Sequence, residues 1–331
     1  MGVEANMVET YDSTTIREDL SDAENMISPT ETPFTSMICG RGTADNTYHE
    51  WPIVELIAAS ATNRVAEGQQ APSTTAPNLA SRRGNYTQIS DKKCVVSDTS
   101  QKADGAANIE KMAKQISYKL KELKRDVEAM MIENIPADPG AAEAATVRVS
   151  AGFIAFLITN PSRGSGATAP TLSGTTAGYP DAEHQEGTLR SMTEAMFKTA
   201  IQSAWTQGGE VRYALVSPNS KAHISENFTA LATKYKDADD KKLVNSVDIY
   251  ESDFGEVQIV PDRFMIGAAG VDSSHVLLID PDHVNLVSYM ETRQVALART
   301  GHAESRLIQK EYSLEVTNEK AHSGVLDTTE T

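Results

Sequence analysis

Two runs rich in β-branched and aromatic residues, 48–57 and 86–99, read as strands, and what separates them constrains the fold most. The stretch between them is dominated by Ala, Thr, Ser, Pro and Gly. A polar connection of about thirty residues is unusual inside a compact domain and marks a functional projection. With each limb extended for some fifteen residues at about 3.3 Å per residue, such a hairpin reaches on the order of 50 Å. A compact chain of 331 residues has a radius of gyration of only roughly 20 Å. The hairpin therefore overshoots its own body and needs a neighbour to pack on, because an isolated two-stranded ribbon is marginal in water. A floppy surface loop is the alternative reading.

The rest of the chain can build a core. Apolar residues make up 40% and aromatics 6%, so that core rests on Ala, Val, Leu, Ile and Met rather than on large rings. The net charge is −16, which disfavours direct, tight binding of a phosphate backbone. Residues 1–35 hold eight acids and one base, and their scattered Ile16, Leu20, Met26 and Ile27 suit an extended arm laid on another surface, or else a loose tail. Cys39 and Cys94 have neither disulfide-framework nor zinc-ligand spacing. The N-terminus lacks an apolar export core, and no window approaches 18 uninterrupted apolar residues. A soluble, intracellularly made protein is expected.

The clearest local signal is residues 105–134. Ile109, Met112, Ile116, Leu120, Leu123, Val127 and Met130 form one helical stripe, with Asp104 or Asn108 to cap the start and Pro136 to close the end. That helix would be about 45 Å long and would lie across a sheet. A coiled coil is the rival, but its seam does not continue. The apolar run 149–158 reads as a buried strand or core helix, and the Gly/Ser/Thr/Pro tract 160–187 as a long loop or linker between two halves. A helix over 188–207 has Thr188 as its cap and Gly208-Gly209 as its stop. A strand at 213–216 then feeds Ser217-Pro218, the cap and first position of a helix over 218–233. Residues 247–250 and 256–260 read as a hairpin around Ser252-Asp253-Phe254-Gly255, and 276–279, 284–289 and 306–316 as further strands.

Catalytic signatures are missing from the sequence. Gly40-Arg41-Gly42 and Gly164-Ser165-Gly166 lack the spacing of a phosphate cradle. Asp253-Phe254-Gly255 copies a kinase triplet without its partner motifs. The seven histidines form no i, i+4 pair, and the acid clusters at 237–240 and 280–282 lack the calcium-loop glycine and glutamate. Asn85-Tyr86-Thr87 and Asn227-Phe228-Thr229 match a glycosylation sequon by chance. A projecting hairpin, an acidic arm and a spine-like helix describe a chain built to touch copies of itself.

Read in order, several strings resemble tailed-phage major capsid proteins of the Hong Kong 97 (HK-97) fold, in the short-tailed-phage type branch. They are Arg17-Glu18-Asp19-Leu20-Ser21-Asp22, Ile27-Ser28-Pro29 with Thr32-Pro33-Phe34, His49-Glu50-Trp51 and Glu67-Gly68. They continue with Asn85-Tyr86-Thr87-Gln88-Ile89, Val96-Ser97-Asp98-Thr99 and Lys121-Glu122-Leu123-Lys124-Arg125-Asp126-Val127-Glu128. Asp253-Phe254-Gly255, Pro261-Asp262-Arg263-Phe264-Met265, Glu311-Tyr312-Ser313-Leu314-Glu315-Val316 and Ala321-His322 complete the series. Each string is weak alone, and their shared order across nearly the whole chain is the specific feature.

The resemblance implies an α+β fold with an N-terminal arm (1–43), an E-loop β-hairpin (44–100) and a peripheral domain (101–187) carrying the spine helix and the 160–187 loop. It implies an axial domain (188–283) and strands (284–331) returning to the peripheral domain. It implies hexamers and pentamers closing into an icosahedral shell around double-stranded DNA, without sequence-specific binding. The virion is the implied location, with assembly in the host cytoplasm. A separate scaffolding protein, a portal and a decoration protein are the implied partners. The resemblance implies no catalytic residue, no cofactor, no metal and no membrane. Residues expected to meet neighbouring copies are Arg17 and Asp19 in the arm and Trp51, Arg64, Glu67, Arg82, Arg83, Lys92 and Lys93 in the hairpin. No asparagine and acid partner is marked for Lys92 or Lys93, so no covalent cross-link is expected. An encapsulin-like compartment shares the implied fold, and an α/β enzyme with its site in 188–283 is the rival from another class.

Overall fold

The computed structural model describes residues 28–70, 77–103, 109, 111–141, 146–174, 177–228, 236–237, 242–243, 248–265 and 275–329. In chain order these hold a π-helical turn Phe34–Ile38, strands β1 (Gly40–Thr43), β2 (Tyr48–Ile53), β3 (Ser81–Tyr86) and β4 (Gln88–Ser97), and helices α1 (Asp98–Lys102), α2 (Met112–Ile132) and α3 (Phe153–Phe156). Strands β5 (Thr171–Leu172), β6 (Pro180–Ala182) and β7 (Arg190–Ser191) lead to α4 (Glu194–Thr206), β8 (Tyr213–Val216) and α5 (Pro218–Asn227). Short strands β9 (Lys236–Asp237) and β10 (Lys242–Leu243) precede the hairpin β11 (Ile249–Ser252) and β12 (Gly255–Pro261). The chain closes with β13 (Val276–Ile279), β14 (Val284–Ala296), β15 (Ala303–Val316), β16 (Ser323–Val325) and β17 (Thr328–Thr329).

Two sheets organise these elements. One is five-stranded, ordered β11-β12-β8-β13-β16, with β8 parallel to β12 and antiparallel to β13. Tyr-Ala-Leu-Val in β8 and Val-Leu-Leu-Ile in β13 are continuous apolar runs because both faces of the sheet are covered. Ala214, Val216, Val276 and Leu278 pack under α4 and α5 with Phe197, Ile201 and Ile224. Leu215, Leu277 and Ile279 point the other way, into a core shared with Phe153, Met131 and Leu314. The second sheet is four-stranded, ordered β1-β14-β15-β4, so residues 40–43 of the expected arm run parallel to β14 as an edge strand.

Helix α2 lies against β4 and β15 and buries Leu123, Val127, Met130 and Met131. Its 21 residues span about 31 Å, shorter than the expected 105–134. It begins at Met112 after Lys111, which makes no side-chain cap, and the expected caps Asp104 and Asn108 lie outside the described residues. It ends at Ile132, where Glu133 turns extended, so Pro136 is not its stop. Residue 152 passes directly against this end: a Cβ on Gly152 would meet the Glu133 carbonyl at 1.9 Å.

Helix α4 also starts late. Thr193 caps it, accepting from the Met196 amide, while the expected cap Thr188 lies outside and donates its own amide to Ser165. Pairing of Arg190 and Ser191 with Thr328 and Thr329 holds that stretch extended, so a tertiary ladder overrides the helical pattern. The end is where Gly208, at φ +98°, breaks the helix. Ser217 caps α5 with Pro218 at its first position. That helix ends at Asn227, and the remainder of the expected 218–233 lies mostly outside the described residues.

The hairpin differs most from expectation. The partner of β2 is β3, in a six-residue ladder from Tyr48↔Tyr86 to Ile53↔Ser81. The expected second limb, 86–99, instead forms β4 and pairs with β15 over ten residues. Residues 54–70 and 77–80 are exposed and carry no strand, so no fifteen-residue limb exists there. Their Ala, Ser and Thr content is poor in strand-forming side chains, and Pro77 has no amide for a ladder.

The 160–187 tract is not a free linker. Ser162 exchanges hydrogen bonds with Gly324 and Leu326, and β5 pairs with β6 within the tract. The C-terminal strands also divide: β14 and β15 build the four-stranded sheet, whereas β16 crosses to β13 in the five-stranded one.

Candidate assembly surfaces

Asn85 fastens the base of the hairpin to the body. It is fully buried, and its amide nitrogen donates to Ser150 Oγ at 3.1 Å, the Ala151 carbonyl at 3.3 Å and the Leu314 carbonyl at 2.8 Å. Its Oδ1 accepts from the amides of Ala151 at 2.8 Å and Tyr86 at 2.9 Å. Two residues later Thr87 donates to Glu311 at 2.7 Å, and Arg148 binds both Glu311 and the Thr87 carbonyl. Tyr48, Tyr86 and Tyr179 stack at the same place, with ring centroids 4.7 to 6.1 Å apart. Burial pushes the Tyr48 hydroxyl up to about 12, with Glu50 adding to the effect. A Cβ at position 84 would come within 2.7 Å of the Tyr48 ring, so glycine there leaves room for the ring as it lies. Gly178, at φ +100°, bonds to Arg82 and Gly84 and makes a third rung beside β3.

From this rigid base projects a loop whose apolar side chains have no cover. Val54, Leu56, Ile57, Val65 and Leu79 are 58, 84, 69, 69 and 82% exposed. These are five aliphatic side chains left uncovered by the rest of the chain on one loop.

The residues expected to meet neighbours fall into distinct places. Arg64 and Glu67 lie on the exposed loop, and Arg82 beside it pairs loosely with Glu50 at 3.5 Å. Arg83 is half-buried, and burial lowers its pKa against the pull of Glu319 and Glu55. Glu55 in turn binds Lys320 at 2.8 Å, which ties the loop's root to the body. Trp51 is only 5% exposed and packs on Phe156 and His49 inside the chain, so it anchors the hairpin rather than presenting a surface. Lys92 and Lys93 stand on opposite faces of β4, outside the hairpin where they were expected. Lys92 is bound to Asp126 of α2 at 2.6 Å, and Lys93 is exposed. Arg17 and Asp19 lie outside the described residues.

Sequence reasoning missed the buried polar ties. Asn85 sat inside a sequon pattern, and nothing local marks it as a hub. His184 and Asp327 form a second hidden pair, Nε2 to Oδ1 at 2.8 Å with both side chains fully buried. A third is Glu128 of α2, which accepts from the amides of Phe34 at 2.6 Å and Thr35 at 2.8 Å and so caps the π-helical turn. Among the described residues no cluster of His, Cys, Asp and Glu has metal-binding geometry, and no helix is long and apolar enough to cross a membrane.

Known proteins place this architecture. The chain has the HK-97 fold of phage capsids. The capsid subunit of cyanophage A-1(L) superposes with a TM-score of 0.65 at 12% identity, covering 97% of this chain and 100% of that one. The capsid of a native GTA particle gives 0.61 at 11% identity, covering 97% and 98%. An SrpI encapsulin complex from Synechococcus elongatus gives 0.60 at 9% identity, covering 99% and 98%. No curated protein matches the sequence. The SU10 major capsid protein family matches residues 6–329, nearly the full length, and the chain belongs to that family.

Proposed function

We propose that the protein is the main wall subunit of a phage head, assembling as hexamers and pentamers into an icosahedral shell that encloses double-stranded DNA. The observation that carries this reading is the projecting loop: five aliphatic side chains are uncovered on a root locked by Asn85, the tyrosine stack and the Glu55–Lys320 pair. A monomer gains nothing from that arrangement, whereas a neighbouring copy would bury it. Closure by symmetry lets one set of contacts serve every copy. Residues 1–43 act as the arm, 44–86 with their exposed tip as the E-loop, α2 with the four-stranded sheet as the peripheral domain, and the five-stranded sheet with α4 and α5 as the axial domain. The role is mechanical, with no catalytic step, and the subunit resides in the virion after assembly in the host cytoplasm. A scaffolding protein, a portal and a decoration protein are its partners; one capsid of the same fold is described together with decoration proteins.

Electron microscopy of the purified full-length chain, alone and with a co-expressed scaffolding protein, tests this. Closed shells, or free hexamers and pentamers, are expected. A small oligomer of fixed size under both conditions would overturn the reading. The encapsulin likeness supports a second reading, a shell around protein cargo. Nucleic acid inside particles isolated from the native source separates the two.

A further inference from the structure

Residues 111–125 hold six bases and one acid, a net charge of +5 in a chain whose total is −16. Lys111 is the N-cap of α2 and the others lie within the helix. Lys111, Lys114, Lys121 and Arg125 follow one another at helical spacing, with Tyr118 between the second and third, so they form one row. The row lies opposite the apolar stripe that buries Leu123 and Val127 against the sheet. Lys121 is exposed, as is Lys124 beside the row, while Lys114 and Arg125 are half-buried. From Lys111 to Arg125 the row is about 21 Å long.

The acids on the outer side of the helix are taken up at its margins. Glu122 binds Lys119 at 2.8 Å, and Asp126 binds Lys92 of β4 at 2.6 Å. The Arg125 guanidinium stands 5.6 Å from the Phe264 ring centre, which holds it in place without removing its charge. The positive potential reaches a neighbouring group: burial lowers the Lys310 pKa, and repulsion from Arg41 and Lys124 lowers it further against the pull of Glu291. At physiological salt, exposed charges more than about 8 Å apart are largely screened, so this face acts through its local charge rather than through the chain's total.

What such a face can hold follows from what it lacks. Helix α2 exposes no large apolar side chain. A protein partner at a stable interface brings apolar or aromatic anchors and needs pockets for them. A line of cations alone suits a regular line of anions. Duplex DNA carries one phosphate charge per about 1.7 Å of its axis, so about twelve lie alongside a row of this length. We propose that the outward face of α2 is a sequence-independent contact surface for the phosphate backbone of duplex DNA, carried by Lys114, Lys121, Lys124 and Arg125. The inference rests on the shell reading for where the DNA lies: in a closed shell this face is the one turned inwards. Four phosphate contacts hold the DNA weakly and release it readily as salt rises.

Fluorescence anisotropy of a labelled duplex of about 30 base pairs, titrated with the unassembled full-length subunit, tests it. Each phosphate contact adds about −0.9 to the slope of log affinity against log salt. Between about 50 and 200 mM salt the parent should therefore weaken about 150-fold, and K121Q/K124Q about 12-fold. Two unrelated duplex sequences should bind alike. The charge-conserving K121R/K124R should match the parent, and so should K198Q/R212Q, which removes two exposed cations, one on α4 and one just before β8. A parent slope no steeper than that of K121Q/K124Q, or an equal loss in K198Q/R212Q, would overturn the assignment. So would displacement of the DNA by polyglutamate at equal charge concentration, which would mark the face as a site for an acidic protein. The titration uses unassembled subunits, so its outcome is separate from the micrographs that test the shell. Shells formed by a chain with a flat salt slope would refute this contact alone. Binding with the expected slope by a chain that forms no shells would refute the shell alone.

Discussion

The side-chain amide of Asn85 donates to the main-chain carbonyl of Leu314, 229 residues further along the chain, at 2.8 Å. This bond and three of its companions join the hairpin root to β15 and to the turn at Ser150-Ala151, and a fourth, from the Tyr86 amide, stays within the hairpin. Asn85→Ala would leave the Ala151 amide and the Leu314 carbonyl buried without partners. Orphaned buried groups cost about 1–3 kcal/mol each, so urea unfolding of the unassembled subunit should show a loss of about 3 kcal/mol. A loss below about 1 kcal/mol would mean that the hairpin root is not held as described.

A similar test applies to Asp327. Burial pushes its carboxyl up, but hydrogen bonds from His184 and the Gly164 amide outweigh burial and hold it below its ordinary range. The sign follows: a depressed acid contributes stability above its unfolded pKa and loses it as pH falls through the folded value. Asp327 sits at φ +57°, a conformation asparagine also tolerates, so Asp327→Asn removes charge with little added backbone strain. The variant should lose about 2 kcal/mol at pH 7, as hydrogen bonds to a charged buried group contribute, and the deficit should shrink towards pH 3. A pH-independent deficit in thermal melts would argue against an ionised Asp327 carboxylate at this site.

What was legible in the sequence follows from how local each signal is. Ser217-Pro218 capping α5, the turn between Ser252 and Gly255, and the apolar runs of β8 and β13 need only neighbours in the chain, and the residues there declare them. The stripe on α2 was equally plain. By contrast, β3 is Ser-Arg-Arg-Gly-Asn-Tyr, without strand-like alternation, and it forms because Tyr86 and Asn85 are held by Tyr48, Tyr179 and Leu314. The late start of α4 reflects the far-off Thr328–Thr329. The exposure of residues 54–70 was foreseeable from their composition, but the buried polar residues Asn85, His184 and Glu128 were not, since a polar residue's burial depends on partners far away in sequence.

Glu128 and Asp262 form a buried carboxyl pair with an opposite pH signature. Burial pushes Glu128 up to about 7, helped by Asp262 and opposed by the Thr35 and Phe34 bonds, and burial likewise raises Asp262. Burial also pushes the Cys39 thiol up, with Glu128 adding to the effect and Arg41 opposing it. A raised acid contributes stability that is complete below its unfolded pKa and is lost as pH rises through the folded value, here between about 4 and 7. His275 and His322, lowered to about 4 mainly by burial, act the other way and contribute stability that is lost below about pH 6.5. Asp262→Asn removes one member of the carboxyl pair, keeps an acceptor for the Phe264 amide and can donate to Glu128. Its stability relative to the parent should rise by about 1–2 kcal/mol between pH 5 and pH 8. Equal differences at the two pH values in denaturant titrations would remove the pair from the pH response.

The projecting loop offers the sharpest separation of folding from assembly. Leu56 and Leu79 are 84% and 82% exposed, so replacing either with Asp removes no contact within the chain. Unfolding of the isolated subunit should move by no more than about 0.5 kcal/mol. In a shell each side chain would be covered by a neighbour, where a buried leucine contributes roughly 1.5–3 kcal/mol, and an aspartate there would also be desolvated. Because every copy repeats the defect, the double variant Leu56→Asp with Leu79→Asp should raise the concentration needed for assembly at least tenfold, or abolish particles, with the subunit still folded. Sedimentation velocity across a concentration series measures this directly. Shells that form at the parent's threshold would show that the aliphatic face of the loop is not what neighbouring subunits grip.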